Sequence, residues 1–219
     1  MTDVEVFLAE LDAQNARALE RIGEAAAREP AGEITVTRLL MLALKNELEA
    51  TECAAMWIPT TREVEVKLAL ARQAGDEARH FGLIERRLAE LGVQASSFEA
   101  SLAGPRSPLL QWLATLETTV ERVAAGQFTR EALALVRNDE FMRFCESQGD
   151  AATAALYRDV IQPDERHHHQ LGRKLLMRLA VAEDAQGQAR TAAQKTLEMA
   201  EELQEIARLK MGISRAPGC

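Results

Sequence analysis

Two copies of Glu-x-x-His, Glu77-Ala-Arg-His80 and Glu165-Arg-His-His168, lie within apolar helical stripes, each with another stripe-facing glutamate some thirty residues upstream. An i, i+3 pair projects from one helix face, so a single helix can offer a carboxylate and an imidazole to the same point in space. The motif alone says little: with 26 glutamates and 4 histidines in 219 residues, chance supplies about half an occurrence. Its placement in the hydrophobic pattern carries the weight.

At about 100° per residue, Glu47 projects within roughly 60° of Val36, Leu40, Ala43, Leu44, Ala54 and Ile58. Glu49 and Glu52 fall on the far side and are expected in solvent. Glu77 shares its face with Val66, Leu70, Ile84 and Leu88, with His80 about 60° to one side. Glu165 aligns with Ala154, Ile161, Gly172 and Leu176, and His168 flanks it as His80 flanks Glu77. The fourth carboxylate is Glu131 or Glu140. On a continuous helix Glu131 lies within roughly 60° of Leu113, Leu116, Val120, Ala124, Leu135 and Met142, and Glu140 points the opposite way. The separation of 34 residues from Glu131 to Glu165 also matches the 30 from Glu47 to Glu77 better than the 25 from Glu140 does. Glu131 is preferred; Glu140 stays as the alternative, because a helix break at Gly126 would cut the upstream stripe.

Any one of these glutamates would ordinarily be solvated. Four converging in a core without compensating charge would cost many kcal/mol or be forced to protonate, whereas two divalent cations cancel four negative charges. Oxygen and imidazole donors without thiolate suit iron or manganese better than structural zinc. His169, about 40° from Glu165, is expected as a ligand or as a hydrogen-bond partner of one, and His167 points away.

The surrounding pattern is helical. A leading helix is expected over about 3–28, ended by Pro30-Ala31-Gly32, and a second from Ile34 to Ile58. After the turn Pro59-Thr60-Thr61 a third runs to Leu91 and stops at Gly92. Residues 92–108 read as a long crossover. From Pro108 to Ser147 the pattern is helical, with Gly126 as its weak point; Gly149-Asp150 then turns the chain into a helix ending near Val181, where Pro163 predicts a kink just before Glu165. A last helix spans about 186–210, with Leu197, Ala200, Leu203 and Ile206 along its apolar edge. It is expected to cover the bundle or to mate with a second copy, a homodimer being the commonest symmetric assembly. The sum is an all-α single domain over 1–219: a bundle core over about 33–181, made of two antiparallel hairpins, with flanking helices at 3–28 and 186–210.

A net charge of −8 and the lack of a basic run exclude nucleic acid or an anionic membrane as the main partner. No stretch has the length of a membrane span, and the acidic first residues are unlike a secretory signal. Cys53, Cys145 and Cys219, odd in number and widely spaced, are expected as free thiols in a reducing cytoplasm.

On the residues above the chain resembles the ferritin-like di-iron carboxylate superfamily, in which two helices each give a Glu and two others each give Glu-x-x-His. The resemblance covers about residues 33–180. It implies two iron ions, with manganese as the alternative, bridged by Glu77 and Glu165 and held terminally by Glu47, Glu131, His80 and His168. It further implies O2, an electron donor and a small organic substrate for an oxygenase or oxidase. Ferroxidase or peroxidase activity of rubrerythrin-like or manganese-catalase-like kind is the alternative, and a non-enzymatic helical binding module the third class. Fold does not choose among these. Tyr157, the one tyrosine, is expected to pack, a radical role being the rarer option. Ala43, Ala50, Ala54 and Gly172 either leave an apolar pocket beside the metals or let helices approach closely.

Overall fold

The computed structural model describes residues 2–27, 34–213 and 216–218, and every regular element among them is helical. Helix α1 is Asp3–Ala27, α2 is Val36–Trp57 and α3 is Val64–Glu90. The expected stop at residues 30–32 lies outside the described residues. Thr35 caps α2 by accepting a hydrogen bond from the Arg38 N–H at 3.2 Å. At its far end the Thr61 hydroxyl donates to the Trp57 carbonyl at 2.8 Å, which fastens the tight turn into α3. Gly92, at φ +81°, ends α3 in the left-handed conformation that costs glycine nothing. As expected, α2 and α3 pack along each other.

The crossover is longer and more structured than the sequence suggests. It contains α4 (Ser96–Leu102) and α5 (Pro108–Leu113), and α5 stops six residues before the next helix begins. The stretch 108–147 is therefore not one helix: Thr118 and Glu121 form a reciprocal capping box, which satisfies two orphan N–H groups and starts a new helix there. From Thr119 the rod is unbroken through Gly126, as α6 (Thr119–Val123), a π segment (Ala124–Arg130) and α7 (Glu131–Ser147). Gly126 serves a close approach, since a Cβ there would stand 2.8 Å from the Trp57 ring.

Asp150 caps the next rod by accepting from the Thr153 N–H at 3.0 Å. This rod comprises α8 (Ala151–Leu156), a second π segment (Tyr157–Ile161) and α9 (Gln162–Leu179). The irregularity expected from Pro163 takes the form of that π segment, just ahead of a residue with no N–H to donate. Finally α10 (Glu183–Met211) lies across α1, α6 and the first π segment. It covers the bundle through Leu197 and Ala200, which are buried, whereas Ile206 is 38% exposed and does not belong to the apolar edge.

Two large apolar clusters flank the acidic layer, and a smaller one of Ala18, Ile22, Leu133, Leu197 and Ala200 joins α1, α7 and α10. Of the large two, one gathers Trp57, Leu70, Val123, Phe128 and Leu176, the other Leu40, Leu44, Ile84, Phe141 and Ile161. Helices α2 and α3, and the two rods that end in α7 and α9, therefore each carry a glutamate between two apolar stretches. None of the described helices is long and apolar enough to cross a membrane.

The small residues resolve in favour of close packing at Gly172: a Cβ there would fall 2.7 Å from the Gln127 carbonyl carbon and 2.8 Å from its oxygen. None of the described cavities is lined by Ala43, Ala50, Ala54 or Gly172. Because backbone cannot move aside as a side-chain tip can, Gly172→Ala is expected to lower stability by about 1–3 kcal/mol. Gly75→Ala, at an exposed helical site with nothing within 4 Å, should raise it by about 0.5–1 kcal/mol. Urea unfolding of both variants checks the contrast.

Candidate metal centre

Glu47 from α2, Glu77 and His80 from α3, Glu131 at the start of α7, and Glu165 and His168 from α9 meet at one level of the bundle. All six are at most 2% exposed. They form two groups, Glu47-Glu77-His80-Glu165 and Glu77-Glu131-Glu165-His168, whose donor atoms lie within 4.8 Å of one another, so each group can hold a metal ion. Glu77 and Glu165 belong to both. Glu140 belongs to neither: it is half-buried and ion-paired with Arg143.

The imidazoles face inward through Nδ1. His80 Nδ1 lies 3.1 Å from Glu77, 3.6 Å from Glu47 and 3.7 Å from Glu165. His168 Nδ1 lies 3.5, 3.7 and 3.6 Å from Glu77, Glu131 and Glu165. The Nε2 atoms face outward onto aspartates, His80 to Asp164 at 3.0 Å and His168 to Asp76 at 3.1 Å. An ionised carboxylate only accepts, so each aspartate holds a proton on Nε2 and leaves Nδ1 as the ligating nitrogen. Arg79 pairs with Asp164, and Arg72 with Asp76. Gln73 donates to Glu131.

Sequence reasoning missed Asp76, Asp164 and Gln73. For the aspartates the signal was present, since both motifs read Asp-Glu-x-x-His; for Gln73 there was none. His169 belongs to neither group. Its Nδ1 donates to the Phe128 carbonyl at 2.7 Å, so it pins the first π segment. His167 is half-buried at the surface, where burial first and then Arg72 depress its pKa. Glu49, expected in solvent, is buried: its oxygens accept the N–H of Ser107 at 2.8 Å and the Ser107 hydroxyl, because the crossover lies over that face of α2. Glu52 is partly exposed beside Arg106, as expected. Tyr157 packs edge-on against Phe141 at 4.8 Å. Cys53 and Cys145 are free and buried, with burial pushing their thiols up to about 11 and about 12; Cys219 lies outside the described residues.

The electrostatics show what the protein must balance. Burial and the neighbouring Glu77 and Glu131 hold Glu165 well above the usual carboxylate range, and burial raises Glu77 to about 7. Burial alone would lower the histidines. Bonding and attraction from Glu47 and Glu77 outweigh it at His80, raising it to about 11, and Glu131 does the same for His168, raising it to about 9. Even so, Glu47 Oε1, Glu77 Oε1, Glu131 Oε2, Glu165 Oε2 and His168 Nδ1 are buried without a hydrogen-bond partner among the described residues. Buried polar atoms are normally paired. Five unpartnered donor atoms facing one another fit cations, not a hydrogen-bonded core.

Compared with known proteins, the chain matches no family model, no curated protein and no solved structure.

Two outcomes follow from this geometry. Asp164→Asn should cost about 10–100-fold in metal affinity, measured by competition with a chelator, while Glu140→Gln leaves affinity unchanged. In the metal-free protein the raised histidine pKa values contribute stability that is present below the unfolded value of about 6.5 and lost as pH rises through about 9 for His168 and about 11 for His80. Its melting temperature should therefore fall between pH 6.5 and 9. Metal, by replacing those protons, should flatten the slope.

Proposed function

We propose that the chain is a di-iron carboxylate oxidoreductase of ferritin-like architecture that activates O2 to oxidise a small organic substrate. The observation that carries this reading is the pair of Glu/His groups sharing Glu77 and Glu165. Two sites with two carboxylates in common hold their ions close together, which a pair of unrelated sites would not do. Donors that are all oxygen and imidazole favour iron, with manganese next. When bound, a ferrous pair supplies two electrons to O2, and a separate donor must restore them. The chain's own part is to fix the ligands: Asp76 and Asp164 set the histidine tautomers, Gln73 orients Glu131, and the apolar clusters on either side keep bulk water from the centre. Two helical hairpins, α2 with α3 and α6–α7 with α8–α9, joined across 91–118, support the ferritin-like assignment.

The second reading is turnover of ferrous iron or peroxide without an organic substrate. It is favoured by one observation: none of the described cavities is lined by any of the six ligands. Against it, an apolar pocket of about 170 Å³ is lined by Asn46 and Arg130, the chain neighbours of Glu47 and Glu131.

Anaerobic loading with ferrous iron, followed by elemental analysis, is expected to give about two ions per chain, one for each Glu/His group. On adding O2, one slow stoichiometric oxidation is expected in the absence of substrate. Rapid repeated consumption of ferrous iron or peroxide would move the assignment to the second reading. A metal content near zero in a folded chain would leave a helical binding module.

A further inference from the structure

The layer of buried carboxylates has four sides. Two lie inside the hairpins, where α2 packs along α3 and α7 along α9. The other two are seams between the hairpins, and each is closed in its own way. Across the α3–α9 seam stand the Asp76–His168 and Asp164–His80 pairs, backed by Arg72 and Arg79. Opening that seam would strip both imidazoles of their supports. Across the α2–α7 seam the helix backbones scarcely approach each other, and a strap formed by residues 216–218 lies between them. Asn46 of α2 donates from Nδ2 to the Pro217 carbonyl at 2.9 Å, and Asn138 of α7 accepts the Gly218 N–H on Oδ1 at 2.8 Å. Pro217, Gly218 and Asn138 are buried. Gly218 has φ +79°, and a Cβ there would stand 3.4 Å from the Asn46 Cβ and 3.5 Å from Glu47 Oε1. That oxygen is one of the unpartnered donor atoms of the centre, so the strap backbone is the cover over one metal-site carboxylate.

Three features make the strap the removable side of the layer. Its side chains are those of Ala216, Pro217 and Gly218, so its departure takes no donor atom from the two Glu/His groups. Among the described residues, two neutral hydrogen bonds tie it to the helices, whereas the α3–α9 seam is held by charged partners, which bond about twice as strongly. Finally, Ala216 and Asn46 border a cavity of about 170 Å³ walled mainly by leucines such as Leu42, Leu110 and Leu203. The strap therefore has space to move into, which a close-packed interior would deny it.

We propose that residues 216–218 are a gate over the centre, and that metal ions enter and leave through the α2–α7 seam when the strap comes off Asn46 and Asn138. The proposal rests on the metal-binding function given above. The test is removal of ferrous iron from the anaerobically loaded full chain by excess ferrozine, with the reverse experiment, uptake of ferrous iron by the metal-free chain, run beside it. Asn138→Ala leaves the Gly218 N–H without its acceptor in the closed strap, and Asn46→Ala leaves the Pro217 carbonyl without its donor. Each should speed release at least about fivefold, the effect of one net hydrogen bond on an opening equilibrium. A gate alters the path and not the donor atoms, so uptake should quicken by the same factor while affinity and metal content stay at the wild-type level. Asn46 is half-buried, which keeps the test open should the variant at the fully buried Asn138 not fold. Thr118→Ala, which weakens the chain by removing the cap of α6 far from the strap, should leave both rates within about twofold of wild type. Unchanged rates in either asparagine variant that folds, faster release with weakened affinity, or equal acceleration in Thr118→Ala would overturn the gate and leave the metal reading intact. A folded chain that takes up no metal would overturn both.

Discussion

The structure depends on how four carboxylates, Glu47, Glu77, Glu131 and Glu165, are kept together out of water. At an interior dielectric, each adjacent pair of like charges repels by several kcal/mol, and each ion has given up its hydration. Two histidines reach the layer from inside, and even fully protonated they balance only half of that charge. The remainder is met by protons, above all on Glu165, or by cations. The apolar clusters above and below make the problem sharper by withholding solvent, and at the same time make the layer useful, because a dry cluster of unpartnered oxygens binds a metal far better than a wet one.

The second hairpin shows how backbone geometry serves that layer. Both π segments are in it, one ending immediately before Glu131 and one ending four residues before Glu165. A π turn takes in an additional residue and so rotates every later side chain about the helix axis. At the first segment the disturbed ladder is stabilised from the facing helix, where the His169 Nδ1–H bonds the Phe128 carbonyl and Gly172 lets the two backbones meet. These two α9 residues lie one and four positions beyond His168, so the helix that brings the histidine also fixes the rod that brings Glu131.

Much of this was legible because burial leaves a periodic trace. Glu47 and Glu77 could be assigned to apolar faces since α2 and α3 are regular helices around those positions; for Glu165 only Gly172 and Leu176 share its helix, the π segment lying between it and Ala154. The stripe around Glu131 includes Leu113 and Leu116, yet neither belongs to its helix; the hairpin separations, not the stripe, are the sounder ground. Glu49 is buried against the periodicity because helical periodicity describes one helix against one core, and the crossover buries a second face of α2. The π segments had only indirect signals in Gly126 and Pro163, since an added residue in a turn changes no composition. Asp76 and Asp164 carry little signal because polar residues flanking a buried glutamate resemble any solvated helix edge until the partner histidine is in view.

Those aspartates make the site a joint property of two helices. Asp76 of α3 holds His168 of α9, and Asp164 of α9 holds His80 of α3. Each motif helix thus supplies a carboxylate common to both Glu/His groups and the outer support of the other helix's imidazole. If α3 slid by one turn against α9, both supports would fail together and both Nε2 protons would lose their acceptors. Register and ligand tautomer are therefore coupled: the same pair of contacts that aligns the hairpins also decides which nitrogen of each ring faces the centre. Since Arg79 and Arg72 lie beyond the aspartates at the partly exposed edge, charge at the α3–α9 surface reaches the buried layer through one carboxylate and one imidazole on each side. That edge, and not the apolar ends of the bundle, is where the surroundings can act on the buried carboxylates.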